Sequence, residues 1–196
     1  LIVTVDCGTN SSEAFGAIHG SGTDIVVIDH HQVGGPLPEV AAVVNPNRDD
    51  DLSGLGHLCA VGMVFMALVD VSRQLRGHGV SPLPDLLSML DIVALGTVCD
   101  VVPLTGLNRA FVTKGLIAAR HLGNPGLSAL ARVASIGEPL NPFHFGFLIG
   151  PRINAGGRIG NAALGATLLC EEDANRAAEI AAELDRLNRE RQVMET

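Results

Sequence analysis

Two short apolar runs near the start of the chain each lead directly into side chains that can bind a metal ion. Residues 1–5 (LIVTV) are followed by Asp6, and residues 24–28 (DIVVI) are followed by the triplet Asp29-His30-His31. A carboxylate from one strand and an imidazole from its neighbour can share a divalent cation, and this mixed oxygen and nitrogen set suits manganese better than calcium. Asp6 and His30 are therefore predicted metal ligands.

The elements that must position these residues read as a parallel sheet. Both apolar runs are rich in β-branched residues and nearly continuous, which is typical of parallel strands buried on both faces. A short helix starting at Ser11 or Ser12 and running through residue 18 would connect them as a βαβ unit. Since the carboxyl ends of parallel strands meet at one edge, the two clusters should meet there. Residues 41–44 (AAVV) are a third strand candidate, and residues 45–51 read as a solvent-facing polar turn.

A third acidic group lies much further along the chain. Asp100 stands in the apolar stretch 90–104, LDIVALGTVCDVVPL. Because a buried carboxylate without a partner is costly, an acid among Val98, Val101 and Val102 is expected to meet a cation or hydrogen-bond donors. Taken singly, Asp6 is equally typical of a helix cap and paired histidines of a surface turn, but their joint occurrence favours a metal site that includes Asp100.

The rest of the chain is predicted to be mainly helical. Helical patterning covers residues 58–76, 85–95 and 108–121, and from residue 125 onward only helices and loops are indicated. The final helix, 173–193, carries one apolar stripe, made of Ala177, Ile180, Ala181, Leu184 and Leu187. The predicted fold class is α/β, a parallel sheet flanked by helices followed by a mainly helical segment. Its parts are a catalytic core (1–124), a helical and loop part (125–172) and a connector helix (173–196).

The segment 151–158, PRINAGGR, has the composition of a phosphate-binding loop. Glycines let the backbone approach a phosphate closely, while Arg152 and Arg158 can neutralise its charge. We therefore predict that Arg152, Asn154 and Arg158 contact substrate phosphate. The alternative is that Asn154 and the glycines only build a tight turn.

Composition narrows the functional classes further. The net charge of −8 and the lack of Trp and Tyr argue against a stand-alone nucleic-acid binder that relies on basic patches and aromatic stacking. The four cysteines contain no C-x-x-C pair, so neither a zinc knuckle nor a disulfide framework is indicated, and a reducing cytoplasm fits best. No apolar run approaches the roughly 20 residues that a membrane-spanning helix needs.

Taken in order, these motifs resemble those of a known superfamily. Asp6 in VDCG, the triplet 29–31, and Asp100 in GTVCDVVPL resemble the second, third and fourth motifs of the DHH phosphoesterases. Within that superfamily, the stretches 58–65 (LCAVGMVF), 90–109 and 150–160 (GPRINAGGRIG) look like the RecJ family of bacterial single-stranded-DNA exonucleases.

The resemblance implies a reaction and roles for individual residues. It implies two-metal phosphodiester hydrolysis with Mn²⁺ or Mg²⁺, in which the residue matched by Asp6 bridges both ions while His30 and Asp100 complete one shell. Asp29 and His31 would support these ligands or touch the scissile phosphate. The implied substrate is single-stranded DNA, degraded 5′ to 3′ in recombination and repair, with repair helicases or single-strand-binding protein as partners.

The sequence also departs from the family pattern. The first motif, an Asp-x-Asp after a preceding strand, is absent, as are the carboxyl-terminal DHHA1 domain and the OB-type module, so this sequence is expected to be an excised core with little or no nuclease activity alone. Two alternatives stay open. One is another DHH activity, on short oligonucleotides, cyclic dinucleotides or pyrophosphate; the other is a catalytically silent DHH-like scaffold.

Overall fold

The computed structural model describes residues 1–18 and 20–194, and these form two compact units. Unit 1 comprises residues 1–87 and 100–111, and unit 2 comprises residues 88–99 and the described residues from 112 onward. These units are divided differently from the predicted parts 1–124, 125–172 and 173–196, which stay a prediction. Within the described residues, no helix is both long and apolar enough to cross a membrane.

Unit 1 is built on a parallel three-stranded sheet. The strands are β1 (Ile2–Val5), β2 (Ile25–Ile28) and β3 (Ala42–Val44), in the spatial order β1-β2-β3. Val5 is opposite Ile28, and Ile28 is opposite Val44, so the three strands end at the same level. The predicted fold class, a parallel sheet flanked by helices and followed by a mainly helical segment, is confirmed.

Only the central strand is buried, so the prediction of strands buried on both faces is wrong for β1. In β2, Val27 is fully buried and Ile25 and Ile28 are nearly so, whereas Val3 and Val5 in β1 are each 50% exposed. The physical reason is position in the sheet. β2 has a neighbour on each side, while β1 is an edge strand of the described sheet and carries unpaired backbone groups along its outer side.

Two helices complete unit 1, together with the start of a third. α1 (Ser12–Gly16) lies between β1 and β2, and α2 (Ala60–Gly77) follows β3 and matches the predicted helix 58–76. The rings of Phe65 in α2 and Phe111 pack edge to face, with centroids 5.4 Å apart. Aromatic pairs of this geometry add to the area they bury, so they fix α2 within the unit.

Unit 2 is helical and holds the larger apolar core. A 3-10 turn (Leu86–Met89) leads into α3 (Leu90–Cys99), so the predicted single helix 85–95 is in fact two elements. The remaining helices are α4 (Gly106–Ala119, which begins in unit 1), α5 (Pro125–Val133), α6 (Gly150–Ile159), α7 (Leu164–Leu169) and α8 (Ala174–Met194). The apolar stripe predicted for the last helix is confirmed, since all five of its side chains are buried.

The segment predicted to be a phosphate-binding loop is a helix. A π-helical segment, 144–149, runs directly into α6, and Pro151 stands in the first turn of α6, where proline is tolerated. Two of the glycines in α6 serve packing: a Cβ on Gly156 would lie 3.0 Å from Leu184 Cδ2, and one on Gly150 would lie 2.6 Å from Cys99 Sγ. The loop interpretation of 151–158 is therefore wrong: the segment is helical, and within it Gly156 allows close packing against Leu184.

Gly126 in α5 offers a test of this close packing within unit 2. A Cβ at this position would lie 2.2 Å from the backbone oxygen of Leu168, which cannot move aside as a flexible side chain could. We expect Gly126→Ala to lower the free energy of unfolding by roughly 3 kcal/mol, measured by urea denaturation.

The matched control is Gly157→Ala in α6, where a Cβ would meet nothing within 4 Å. Because alanine is the better helix former, this substitution should raise stability by about 0.5 to 1 kcal/mol. Equal effects of the two substitutions would contradict the packing explanation.

Candidate metal centre

The candidate site lies at the carboxyl edge of the sheet in unit 1. The strand ladder continues into it: Asp6 N donates to Ile28 O at 3.0 Å, and Asp29 N donates to Val44 O at 3.0 Å. Asp6 then turns the chain with a φ of 61°, in the left-handed region that non-glycine residues seldom adopt. The sheet edge thus brings Asp6 and the triplet 29–31 together, as the spacing of the motifs predicted.

His30 is held so that one ring nitrogen faces two carboxylates. Its Nδ1 lies 3.1 Å from Leu58 O, and because a carbonyl can only accept, Nδ1 carries the hydrogen. In the neutral ring, Nε2 is then left with a free lone pair. Nε2 is buried without a hydrogen-bond partner, 3.2 Å from Asp6 Oδ1 and 3.5 Å from Asp100 Oδ2. A buried acceptor aimed between two carboxylates is the geometry of a metal ligand.

Asp100 reaches this site, but not in the way its sequence context predicted. Its side chain is 36% exposed, and the following Val101 is 87% exposed, so the expectation of an acid embedded among apolar side chains is wrong. Asp100 directly follows α3, where Val101 has a φ of 59° and turns the chain away. Partial burial raises the pKa of the Asp100 carboxyl, the charge of Asp6 adds to this, and His30 opposes it.

His31 lies closer to the centre of the site than expected. Ligand atoms of Asp6, His30 and His31 all lie within 4.8 Å of one another, and among the described residues this is the group of three that could hold a metal ion. The rings of His30 and His31 have their centroids 4.8 Å apart. Asp100 is within reach of His30 but falls outside that group, so the four side chains do not converge on a single point.

Asp29 is a buried carboxylate that accepts hydrogen bonds from residues of the site. It is 1% exposed; its Oδ2 accepts from Thr9 N, and its Oδ1 accepts from His31 Nδ1 at 2.7 Å and from the backbone N–H of His30. Burial alone would raise the pKa of Asp29, but these hydrogen bonds outweigh it and hold the pKa far below its ordinary value. The same bond with Asp29 raises the pKa of His31.

Two asparagines after β3 were missed by the sequence reasoning, which assigned residues 45–51 to a solvent-facing turn. Asn45 is buried, and its Nδ2 donates to His31 O at 2.9 Å and to Thr9 Oγ1 at 2.8 Å. Asn47 Nδ2 donates to His30 O at 2.5 Å. The available signal was position: Asn45 and Asn47 follow the third parallel strand, at the same sheet edge as the other two clusters.

The residues predicted to bind phosphate lie in α6 of unit 2. Arg152 is already engaged, since its Nε donates to the buried Asp185 at 2.9 Å and its Nη1 to Leu148 O at 2.7 Å. Asn154 and Arg158 are exposed and stand four residues apart, on one face of the helix. The phosphate-binding role of Arg152, Asn154 and Arg158 stays a prediction, with Arg152 held by a structural ion pair.

The described residues fit a manganese or magnesium ion. The carboxylates of Asp6 and Asp100 are hard oxygen ligands of the kind both ions prefer, and an imidazole nitrogen suits manganese in particular. The carbonyl that orients His30, Leu58 O, supplies the outer support usual for metal-binding histidines. The orphaned Nε2 of His30 is the observation that favours a cation over a simple hydrogen-bond network.

Comparison with known proteins shows which family this chain resembles. The family model described as the DHH family, N-terminal domain, matches residues 1–97. The single-stranded-DNA-specific exonuclease RecJ of Haemophilus influenzae is 38% identical over 201 aligned residues, which cover all of this chain and 35% of the relative. RecJ of Bacillus subtilis is 38% identical over 196 residues, covering 99% of this chain and 24% of the relative.

A solved RecJ structure has a similar fold. The crystal structure of RecJ from Thermus thermophilus in complex with Mn²⁺ superposes with a TM-score of 0.86 at 35% identity, covering 98% of this chain and 28% of that one. The chain therefore spans about a third or less of the length of these three proteins.

Proposed function

The chain belongs to the DHH family, and from this premise we propose that it is the metal-binding core of an exonuclease that degrades single-stranded DNA from 5′ to 3′. One observation carries the proposal: His30 Nε2 is buried without a hydrogen-bond partner, between the carboxylates of Asp6 and Asp100. The relatives named as single-stranded-DNA-specific exonucleases support the substrate class.

We assign Asp6, His30 and Asp100 to one ion, Mn²⁺ or Mg²⁺, with Asp6 also available to a second. A bound ion of this kind polarises a phosphodiester and activates water for attack. The nearness of His31 to Asp6 and His30 supports a role for His31 at the scissile phosphate or at the second ion. Asp29 acts through His31, because it accepts from His31 Nδ1 and so leaves Nε2 as the ring nitrogen with a lone pair for an ion or a substrate.

Phosphate contacts outside the metal centre are assigned to α6. Asn154 and Arg158 are the better candidates, since both are exposed, whereas Arg152 already pairs with Asp185. The cellular setting that we propose is cytoplasmic recombination and repair, with single-stranded DNA as substrate and repair helicases or single-strand-binding protein as partners. The exposed free thiols of Cys7 and Cys170 are compatible with a reducing compartment.

Two measurements test the proposal. Calorimetric titration of the 196-residue chain with MnCl₂ should give saturable binding, and the full-length natural protein should release nucleotides from 5′-labelled single-stranded DNA but not from a blunt duplex, with EDTA abolishing turnover. Faster hydrolysis of dinucleotides or cyclic dinucleotides than of long single strands would favour a smaller-substrate DHH enzyme. Mn²⁺ binding without any hydrolysis would favour a silent scaffold.

The chain by itself is expected to show little or no hydrolysis. Within the described residues, Asp6, His30 and His31 form the tight group of candidate ligands and Asp100 adds one carboxylate beside His30, so a second ion would have an incomplete shell. Two-metal hydrolysis needs both ions to stabilise the attacking and leaving oxygens. Robust nuclease activity of residues 1–196, measured by release of labelled nucleotides in Mn²⁺, would contradict this prediction.

A further inference from the structure

Asn108 is a fully buried polar side chain that joins two loops of unit 1. Its Nδ2 donates to His57 O at 2.6 Å and to Pro103 O at 2.9 Å, and the side chain is 0% exposed. Two carbonyl acceptors fix the orientation of the amide, because a flipped amide would set its oxygen against both. The orientation leaves Asn108 Oδ1 buried without a partner, which costs free energy.

Each loop that Asn108 holds carries one part of the metal centre. The first contains His57 and the next residue, Leu58. The carbonyl oxygen of Leu58 lies 3.1 Å from His30 Nδ1 and so fixes which nitrogen of His30 faces the carboxylates. The second runs from Asp100 to Pro103. Asn108 thus ties the carbonyl that orients one proposed ligand to the loop that presents another.

The second loop begins next to an exposed and strained residue. Val101 is 87% exposed and adopts a left-handed backbone, a conformation that is costly for a β-branched residue. Its side chain therefore contributes little apolar anchoring for Asp100. Besides the Asn108 contact, the loop is held by Thr105 N donating to Pro103 O and by Arg109 Nε donating to Leu104 O.

We infer that Asn108 is a positioning residue of the metal centre: it sets the distance between His30 and Asp100 and keeps Nδ1 of His30 protonated. The inference rests on the proposed function. It gives a reason for a buried asparagine with an unsatisfied oxygen, where an apolar residue would cost less if only packing mattered.

The test uses Asn108→Ala with a matched control, Asn124→Ala. Asn124 also makes two hydrogen bonds from its side chain to the backbone, accepting from Leu127 N and donating to Leu169 O, but it lies in unit 2 and caps α5. If both asparagines had only a structural role, the two substitutions should have the same effect on Mn²⁺ binding. We expect Asn108→Ala to weaken Mn²⁺ binding about 10- to 100-fold, and Asn124→Ala to leave it unchanged while lowering the melting temperature.

A metal-free readout separates this inference from the proposed function. In the ¹⁵N NMR spectrum of the metal-free chain, recorded at a pH high enough for the imidazole to be neutral, His30 should be the Nδ1–H tautomer in the unsubstituted chain and in Asn124→Ala, and a tautomer mixture in Asn108→Ala. If the unsubstituted chain bound no Mn²⁺, the proposed function would fail while the tautomer comparison still decided the role of Asn108. An unchanged tautomer in Asn108→Ala would overturn the inference.

If Asn108→Ala does not fold, the unsubstituted chain provides the decisive measurement. Binding of Mg²⁺, which is diamagnetic, should slow hydrogen exchange of the Asn108 side-chain amide, because the ion draws together the loops that the amide joins. The Asn124 amide serves as the internal reference and should not change. Equal hydrogen exchange of the Asn108 amide with and without saturating Mg²⁺ would overturn the inference. If no Mg²⁺ binds, the role of Asn108 is decided by the His30 tautomer in Asn108→Ser, a variant that keeps one hydrogen-bond donor.

Discussion

Replacing His30 by alanine is expected to weaken Mn²⁺ binding by more than about 100-fold, since loss of a supporting residue alone typically costs 10- to 100-fold. His30 supplies the nitrogen that faces both Asp6 and Asp100, and its removal leaves two carboxylates that repel each other without an intervening ligand. Calorimetric titration with MnCl₂ measures the effect directly.

Thermal unfolding gives an independent readout of the same change. At Mn²⁺ concentrations near 100 times the dissociation constant, the ion should stabilise the unsubstituted chain by about 2.7 kcal/mol. For a chain of this size, that corresponds to a rise of roughly 5 to 10 °C in melting temperature. His30→Ala should show almost none of this rise, whereas the exposed His78→Ala should keep it in full. An equal rise in both variants would remove His30 from the metal centre.

Two further substitutions separate the ligand assignments around His30. If Asp100 completes the shell, Asp100→Asn should weaken Mn²⁺ binding strongly and His31→Gln only weakly. The reverse order would move the third ligand to His31, which lies with Asp6 and His30 in the tight group.

The sequence predicted the positions of Asp6 and His30, which follow from the topology of a parallel sheet. Asp6 and His30 follow parallel strands, and strands that end together bring the residues after them to one edge. Asp100 required more: it follows a helix, and its exposure depends on a strained turn at Val101 that no composition rule anticipates. Asn45 and Asn47 were missed, although they follow the third strand, because their hydrogen bonds to distant backbone atoms have no periodic signature in the sequence.

The fold was predicted best where periodicity is strong and least well where packing overrides local preference. The stripe on α8 follows helical spacing and was read correctly. Residues 150–159 contain proline and three glycines, a composition that favours a loop. They form α6 because their glycines allow close approach of neighbouring residues such as Leu184 and Cys99, and this tertiary contact cannot be read from the segment itself.

Asp29→Asn is expected to lower the free energy of unfolding by about 3 kcal/mol, because it breaks a buried, charge-assisted network. The asparagine has the same size but offers one acceptor oxygen in place of two. Oδ1 of Asp29 serves His30 and His31 while Oδ2 serves Thr9, so the new amide must set its NH₂ against one of these donors. Urea denaturation at pH 7 measures the loss, and Asp70→Asn, which removes an exposed ion pair with Arg73, should have no measurable effect.

The same network predicts how stability depends on pH. The pKa of Asp29 is lower in the folded chain than its ordinary value of 3.8, so its contribution is fully present above that value and is lost as the pH falls below it. The pKa of His31 is raised above 6.5, so its contribution is present below that value and is lost as the pH rises through the folded pKa. The loss of stability at low pH and the loss at high pH both depend on the bond from His31 Nδ1 to Asp29. Asp29→Asn should therefore weaken both pH dependences and return the pKa of His31 toward 6.5. If Asp29→Asn kept the unsubstituted pH profile, with only a uniform drop in stability, Asp29 would not be the group that fixes His31.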